Sequence, residues 1–273
     1  MSYPVRQARL LEDLASLPSL AVAVSGGVDS SVLMHAAHRV LGARALGVIA
    51  DSPSLPRREL NAARAFVRSL GAQLVVVRTN ELEDANYVSN AGNRCYFCKR
   101  ALFDAMRLVA EREGLAALAF GEITDDALDE RPGARAAREA RVLAPLAAAG
   151  FSKEDVRRYA REAGLEAADK PASACLASRL PVGTRVTAAR LSRIESAEAA
   201  LHDLGLSVVR VRDHGDQARL EVGPHEVSRA EAQAELVGAV LRDAGFAGWK
   251  LATYVSPTER GQDRDVAGPT RAS

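Results

Sequence analysis

Short apolar runs alternate with segments of helical periodicity along most of the chain. Residues 20–24 are apolar and rich in valine, which predicts a buried strand, and residues 29–41 carry apolar side chains at helical spacing. Further strands are predicted at 45–50, 73–78 and 117–121, and further helices at 57–70, 99–112 and 152–164. Strands that alternate with helices of this length favour an α/β fold, with right-handed crossovers and a parallel sheet covered by helices on both faces.

The segments between these elements differ in character. Residues 122–133 form a polar stretch that predicts a loop, and residues 171–187 are irregular and rich in Ser, Pro and Gly. Ser152 precedes the last of these helices, with Asp155 at its third position, an arrangement similar to a capping box.

From residue 188 onward the pattern changes and predicts a small, separate α/β subdomain of order αββαβ. Its helices are expected at 188–204 and 224–244, and its strands at 207–212, 218–222 and 249–255. The domain prediction is therefore 1–187 for the larger domain, 188–255 for the smaller one, and a disordered polar tail at 256–273.

The composition of the chain bears on its binding partners and its location in the cell. Lys and Arg number 36 against 35 Asp and Glu, so the net charge of +1 disfavours a protein that grips a long nucleic acid. Residues 1–20 carry scattered charges and lack the apolar centre of a signal peptide, and we find no apolar run long enough to span a membrane. We therefore expect a cytoplasmic protein without membrane partners.

A glycine- and serine-rich segment joins the first strand to the first helix, and its sequence is SGGVDSS. Backbone N–H groups of such a turn, together with the positive end of the following helix dipole, form a binding place for phosphate. A plain strand-to-helix turn is the alternative, because these residue types also favour turns. The residues predicted to contact phosphate are Ser25, Gly26, Gly27, Asp29, Ser30 and Ser31.

The three cysteines form a pair at CxxC spacing, Cys95 and Cys98, and a third, Cys175, in the segment PASACLASR. The pair could belong to a packed helix start, act as a redox dithiol or bind a metal, and Cys175 alone could be a small buried residue. Zinc normally takes four protein ligands, so three cysteines fit better an iron–sulfur cluster with one open iron, or a separate role for Cys175.

The SGGVDSS string resembles the PP-loop of the adenine-nucleotide α-hydrolase superfamily, whose members cleave ATP to AMP and pyrophosphate while adenylating a substrate. Further segments make the chain similar to the LarE family, the sulfurtransferases of nickel-pincer nucleotide synthesis. These segments are DSPSLPRREL (51–60), NRCYFCK (93–99), GEITDD (121–126), RPG (131–133), KPASACLASRLPVGTRVT (170–187) and RVRDHG (210–215).

The resemblance implies that ATP activates a carboxylate of pyridinium-3,5-biscarboxylic acid mononucleotide and that Cys175 attacks the acyl-adenylate. In single-cysteine members the sulfur leaves Cys175 itself, which becomes dehydroalanine. In a three-cysteine branch the thiolates hold a [4Fe-4S] cluster whose open iron delivers sulfide. Because this chain also has Cys95 and Cys98, the resemblance favours the cluster version, with Cys175 as a ligand.

The guanidinium group of arginine can donate two parallel hydrogen bonds, like a fork, to a phosphate or a carboxylate, so arginines suit a substrate that carries one phosphate and two carboxylates. Ser178 and Arg179 follow Cys175 closely enough to contact the substrate group that reacts there. Arg210 and Arg212 alternate with valines and so share one face of a strand. The resemblance implies that these arginines bind the mononucleotide phosphate, and a solvated strand face is the alternative. It also gives Glu198 and Glu221 places near the active region, while the paired acids Asp125 and Asp126 are candidate Mg²⁺ ligands.

Two other functions remain open on the sequence alone. A tRNA-thiolating enzyme of the same superfamily would need an RNA-binding patch, and the near-neutral charge argues against it. A regulatory module that only binds an adenine nucleotide would not require three cysteines beside phosphate-binding segments. The resemblance further implies a homo-oligomer, a hexamer in known members.

Overall fold

The computed structural model describes residues 1–127, 132–170 and 174–255. The tail predicted to be disordered, 256–273, lies outside the described residues. So do residues 128–131, the last of which begins the matched segment RPG, and residues 171–173 of the matched segment 170–187. The chain divides into two compact units. The first comprises Met1–Ala177 and Val182–Ala188, and the second comprises Ser178–Pro181 and the described residues from 189 to 255.

The first unit is built on four strands, β1 (Leu20–Ala23), β2 (Ala45–Asp51), β3 (Gln73–Arg78) and β4 (Ala117–Ala119). Its first five helices are α1 (Tyr3–Ala15), α2 (Val28–Leu41), α3 (Arg57–Ser69), α4 (Ala85–Ser89) and α5 (Arg94–Glu113). Four further helices follow: α6 (Thr124–Ala127), α7 (Pro132–Glu139), α8 (Pro145–Ala148) and α9 (Lys153–Glu162).

The strands form one parallel sheet in the order β3-β2-β1-β4. Leu20 and Val22 of β1 face the helices α1, α2, α3 and α9, whereas Ala21 and Ala23 face α5 and α7. All four are buried, so both faces of the sheet are covered, which is why β1 is apolar throughout and does not alternate. The predicted α/β fold with helices on both faces is confirmed.

Several elements of this unit were predicted wrongly. The polar stretch 122–133 is not a loop throughout, since α6 and the start of α7 fall within it. Helix α5 begins at Arg94, five residues earlier than predicted, and helices α1 and α4 were not predicted. Helix α1 escaped notice because charged residues interrupt its apolar face, although Leu10 and Leu14 on that face are fully buried.

The second unit contains α10 (Ala188–Asp203), β5 (Val209–His214), β6 (Gln217–Val222), α11 (Val227–Ala232), α12 (Ala234–Asp243) and β7 (Gly248–Thr253). Its sheet has the order β5-β6-β7, with β5 and β6 antiparallel and β6 and β7 parallel. The predicted helix 224–244 is two helices, because the backbone leaves helical geometry at Gln233. Both halves still contribute to one core, through Ala230 and Val237.

The start of α9 confirms the capping box expected at Ser152 and Asp155. The buried carboxylate of Asp155 accepts from the Ser152 backbone N–H at 2.9 Å and from the Arg6 guanidinium at 2.7 Å. Burial alone would raise the pKa of Asp155, but the hydrogen bonds from Arg6 and Ser152 outweigh it and hold the pKa below its usual value. Helix α9 is thereby fixed to α1 and to its own first turn.

No helix within the described ranges is both long and apolar enough to cross a membrane.

We expect Asp155→Asn to lower the free energy of unfolding by about 1–3 kcal/mol at pH 7, because it weakens the bonds to Arg6 and Ser152. The folded pKa lies below the unfolded one, so this stabilisation is present above about pH 4 and is lost as the pH falls further. Urea unfolding of both proteins between pH 3 and 7 measures the difference. The exposed pair Arg9–Asp13 supplies the control Asp13→Asn. A difference that stays constant down to pH 3 would contradict this account.

Candidate active site

Polar residues of the first unit gather where the parallel strands end. The chain runs from β1 through β2 to β3 on one side and returns to β4 on the other side of β1. The segment after β1 therefore lies where the strand order reverses, the position at which open parallel sheets bind ligands.

The glycine-serine loop at this position is held by its own hydroxyl groups. Ser30 Oγ donates to the Gly27 carbonyl at 3.0 Å and accepts from the Ser25 N–H at 3.1 Å, and Ser31 Oγ donates to the same carbonyl at 3.0 Å. Gly26 has φ of +77°, and a Cβ there would lie 3.2 Å from a carboxylate oxygen of Glu59. Gly27 precedes α2 without a side-chain cap, so the positive helix end faces outward.

Gly121, two residues beyond β4, packs directly on this helix start. A Cβ on Gly121 would lie 2.8 Å from the Ser30 nitrogen and 2.9 Å from the Asp29 carbonyl carbon, distances that no side chain can adopt. The segment after β4 is therefore pressed against the first turn of α2. The sequence match at GEITDD contains Gly121, but sequence reasoning assigned it no function.

Two lysines that the sequence reasoning missed contact the glycine-serine loop. Lys170 Nζ donates to the Gly26 carbonyl at 3.0 Å and forms an ion pair with Glu59. Lys153 Nζ lies 2.8 Å from both carboxylate oxygens of Asp29. Lys153 lies in none of the matched segments, and Lys170 begins the segment 170–187 but was assigned no role there. Only the fold brings both lysines to the loop.

A cavity of about 620 Å³ opens beside the loop and is bordered by helices α2 and α3 and by residues 163–170. Gly26, Ser31 and Lys170 line one side, and Phe66 of α3 contributes an apolar surface. His35 also lines it, and burial lowers the pKa of this imidazole, aided by nearby Arg39 and His38. The cavity thus combines cationic and apolar walls, as a nucleotide requires.

Asp125 and Asp126, the candidate Mg²⁺ ligands, lie on α6 near the start of α9. Asp125 Oδ2 accepts from the Lys153 backbone N–H at 2.9 Å. Among the described residues, no three His, Cys, Asp or Glu side chains gather closely enough to hold a metal ion. The Mg²⁺ role of these two acids remains a prediction.

Cys95 and Cys98 lie one turn apart at the start of α5, where the helix dipole favours negatively charged groups. Cys95 is exposed, whereas Cys98 is partly buried and donates to Glu81 Oε1 at 3.7 Å. Burial is the main cause that raises the pKa of Cys98 to about 12, and the nearby charges of Cys175 and Glu81 contribute to the same rise. Cys98, Cys175 and Glu81 therefore share one neighbourhood.

Glu81 is a functional candidate that belongs to no sequence motif and was not predicted. Its carboxylate is buried, and among the described residues its Oε2 has no hydrogen-bond partner. A buried carboxylate oxygen without a partner is costly, so such groups often mark sites that act on ligands. It lies in the short 3₁₀ turn after β3, close to the cysteines.

Two hydrogen bonds hold the backbone immediately after Cys175. The N–H of the next residue, Leu176, donates to the Ser54 carbonyl at 2.8 Å, and Arg94 Nη1 donates to the Ala177 carbonyl at 2.9 Å. Cys175 itself is partly exposed. Lys170, which touches the glycine-serine loop, precedes it by five residues, and five residues span at most about 18 Å.

The three thiols suit an iron–sulfur cluster in kind and in neighbourhood. All lie in the first unit, none is in a disulfide, and Cys98 interacts electrostatically with both of the others. Because no three of the described side chains converge on one point, the thiols would have to draw together to hold a cluster. They fit the group in donor chemistry, and the cluster remains a prediction.

In the second unit, the predicted substrate ligand Arg179 is almost fully buried. Its guanidinium binds both carboxylate oxygens of Glu198, at 2.9 and 3.0 Å, and Glu198 also accepts from the Val211 N–H. Arg179 Nη1 also donates to Ser178 Oγ at 3.1 Å. The Arg179 fork therefore has an acid partner within the unit, and its role toward the substrate remains a prediction.

Arg210 and Arg212 share one face of β5, and their valine neighbours are buried, as predicted. Arg212 pairs with Glu221 at 2.8 Å and donates to the Ser178 carbonyl at 3.1 Å. Arg210 turns instead toward the Tyr254 ring, at 5.4 Å. The two glutamates, Glu198 and Glu221, are thus arginine partners.

A cavity of about 470 Å³ in the second unit is lined by Arg179, Leu180, Pro181, Arg212, His214, Arg219, Glu221, Thr253 and Val255. Arg212 belongs to this lining and Arg210 does not. His214, two residues further along the same strand face and beyond the predicted strand end at 212, is the last residue of β5 and lines the cavity.

No family model matches the sequence. It is 41% identical over 208 residues to an uncharacterised protein of Synechocystis sp., covering 76% of this chain and 78% of that protein. It is 25% identical over 225 residues to an uncharacterised protein of Methanocaldococcus jannaschii, covering 82% of this chain and 85% of that protein.

A third relative carries a functional name. The sequence is 33% identical over 242 residues to the pyridinium-3,5-bisthiocarboxylic acid mononucleotide synthase of Lactiplantibacillus plantarum, and the match covers 88% of each chain. Identity of this extent over nearly the whole length confirms the resemblance found in the sequence, and the chain belongs to the LarE family.

Proposed function

We propose that this protein is an ATP-dependent sulfurtransferase that converts a carboxylate of pyridinium-3,5-biscarboxylic acid mononucleotide into a thiocarboxylate. The relationship to the Lactiplantibacillus plantarum synthase carries the proposal, because that name describes the product of such a reaction. The partly exposed Cys175, in the same unit as the glycine-serine loop, supports it.

The first step is adenylation. A carboxylate oxygen of the substrate attacks the α-phosphorus of ATP, and pyrophosphate leaves as the acyl-adenylate forms. The bare start of α2, the two glycines and Lys170 are suited to the phosphates, and the adjoining cavity has room for the nucleoside. ATP and Mg²⁺ are therefore the proposed cofactors of the first unit, with Asp29 as the loop residue suited to magnesium.

The second step transfers sulfur. In the route without a cluster, the Cys175 thiolate attacks the acyl carbon, AMP leaves, and a thioester forms. If the Cys175 sulfur is the one delivered, loss of the Cα proton and cleavage of the Cβ–S bond leave a thiocarboxylate on the substrate and dehydroalanine on the protein. The contacts to Leu176 and Ala177 hold the backbone around the attacking thiol.

We propose a [4Fe-4S] cluster held by Cys95, Cys98 and Cys175 as the favoured alternative to this route. Cys175 would then be a ligand, and the cluster would supply the sulfide. The positive end of α5 then offsets part of the negative charge of the thiolates. The buried acid Glu81 accepts a hydrogen bond from Cys98 and places a carboxylate beside the proposed cluster ligands.

In the second unit, Arg212 is proposed as the main ligand of the mononucleotide phosphate, together with Arg179, Ser178 and Arg210. Among these, Arg212 and Arg179 line the cavity of that unit, so they carry most of this proposal. The proposed partners are thus one small mononucleotide and further copies of this chain, with the hexamer implied by resemblance open to measurement by light scattering.

Replacing Cys175 by Ser should abolish thiocarboxylate formation but leave pyrophosphate release intact, because adenylation precedes the thiol attack. Pyrophosphate, AMP and thiolated product are measured in the same reaction mixture. Lys250→Gln, on an exposed position of β7, is the control. Loss of pyrophosphate release in Cys175→Ser, with the fold intact, would contradict the order of steps.

Anaerobic reconstitution should load about four irons per chain and give the broad visible absorbance of a thiolate-bound cluster. Cys95→Ala should lose most of this iron, since three thiols are needed. Iron analysis and absorbance need no substrate and so do not depend on activity. Failure to retain iron, together with dehydroalanine at position 175 after reaction, would establish the route that consumes Cys175.

Arg212→Ala should raise the Kd of the mononucleotide about 10- to 100-fold, the usual loss for one charged fork on a phosphate, and leave ATP binding unchanged. Calorimetry measures both. Since Arg212 also pairs with the buried Glu221, Arg212→Lys separates loss of the fork from loss of charge. Equal weakening of ATP and mononucleotide binding would count against the assignment.

A further inference from the structure

We propose that Lys153 is a mobile cation of the phosphate loop: it neutralises Asp29 when the loop is empty, and it moves to the leaving pyrophosphate when magnesium takes its place on Asp29. This inference rests on the proposed use of ATP by the same loop. It assigns a role to a residue outside every motif that the sequence offered.

The ion pair joins the loop to a neighbouring helix. Asp29 lies in the first turn of α2, and Lys153 is the first residue of α9. The Lys153 ammonium lies 2.8 Å from each Asp29 oxygen, so it covers the whole carboxylate. Among the described contacts of the loop, this is the one in which a lysine binds a carboxylate of the loop itself.

A carboxylate inside an anion-binding loop has to be neutralised before phosphates approach. The helix dipole and the backbone N–H groups attract phosphate, whereas the charge of Asp29 repels it. In the structure, Lys153 supplies the compensating charge. Lys170, the other loop lysine, pairs with Glu59 and leaves Asp29 to Lys153.

The backbone of Lys153 is fixed while its side chain is accessible. Its N–H donates to Asp125, and the following turn is locked by the capping box of Ser152 and Asp155. The side chains of Lys153 and Asp29 are 37% and 26% exposed, and pairs this exposed contribute little to stability. The pair is therefore easily exchanged, and it is not a requirement of the fold.

Magnesium and Lys153 compete for the same two oxygens. Magnesium prefers carboxylate and phosphate oxygens, so a Mg²⁺–nucleotide entering the loop would bind Asp29 and displace the ammonium. The displaced Lys153 ammonium can then pair with phosphate oxygens bound next to Asp29. A lysine is suited to this exchange, because its compact charge sits on a flexible stem.

The competition makes a directional prediction for a series at position 153. Glutamine removes the charge, so the Mg²⁺ concentration for half-maximal binding of inorganic pyrophosphate should fall about three- to tenfold, while pyrophosphate affinity at saturating Mg²⁺ should fall about tenfold or more. Arginine grips Asp29 with two parallel bonds, so Lys153→Arg should raise the Mg²⁺ requirement above that of the wild type.

Calorimetry with inorganic pyrophosphate at graded Mg²⁺ measures both quantities, with turnover as a second readout, and Lys250→Gln is the control. The order Gln, Lys, Arg in Mg²⁺ requirement supports the proposal; a weakened pyrophosphate affinity with unchanged Mg²⁺ requirement, or no change at all, overturns it. If the wild type neither binds nor releases pyrophosphate, the proposed use of ATP is wrong and this inference with it. If Lys153→Gln does not fold, Lys153→Arg still decides by the sign of its shift.

Discussion

The structure depends on keeping the start of α2 bare of side chains while other segments press against it. Gly26 and Gly27 leave the helix end uncovered, and Gly121 lets the segment after β4 reach the Ser30 nitrogen at a distance that any Cβ would forbid. Backbone contact of this kind fixes two neighbouring strand ends relative to each other. The charged side chains around the glycine-serine loop are then positioned by a backbone whose two neighbouring strand ends are in direct contact.

The charged side chains of both candidate sites form ion pairs. Lys153 faces Asp29, Lys170 faces Glu59, and in the second unit Arg179 and Arg212 face Glu198 and Glu221. Each arrangement gives a cation a neighbour of opposite charge in the absence of ligand, which limits the desolvation that an unpaired charge would suffer. The buried carboxylate of Glu81 differs, since among the described residues its hydrogen bond comes from the Cys98 thiol and no cation pairs with it.

The sequence predicted what local pattern encodes and missed what the fold brings together from afar. The apolar β1 run, the glycine-serine loop and the Ser152 cap have signals within a few residues, and the structure contains all three. The contacts of Lys153 with Asp29 and of Arg179 with Glu198 join residues far apart in the chain. No sequence motif predicts these two contacts, because lysine, arginine and glutamate are common on any protein surface.

The segment that carries Cys175 changes unit within a few residues. Cys175 belongs to the first unit, whereas Ser178–Pro181 belong to the second, where Arg179 is buried on Glu198. Only four peptide steps separate the thiol from that anchor, a length of at most about 14 Å. The chain itself therefore limits how far the backbone of Cys175 can move from Arg179, and an insertion between these two residues would relax that limit.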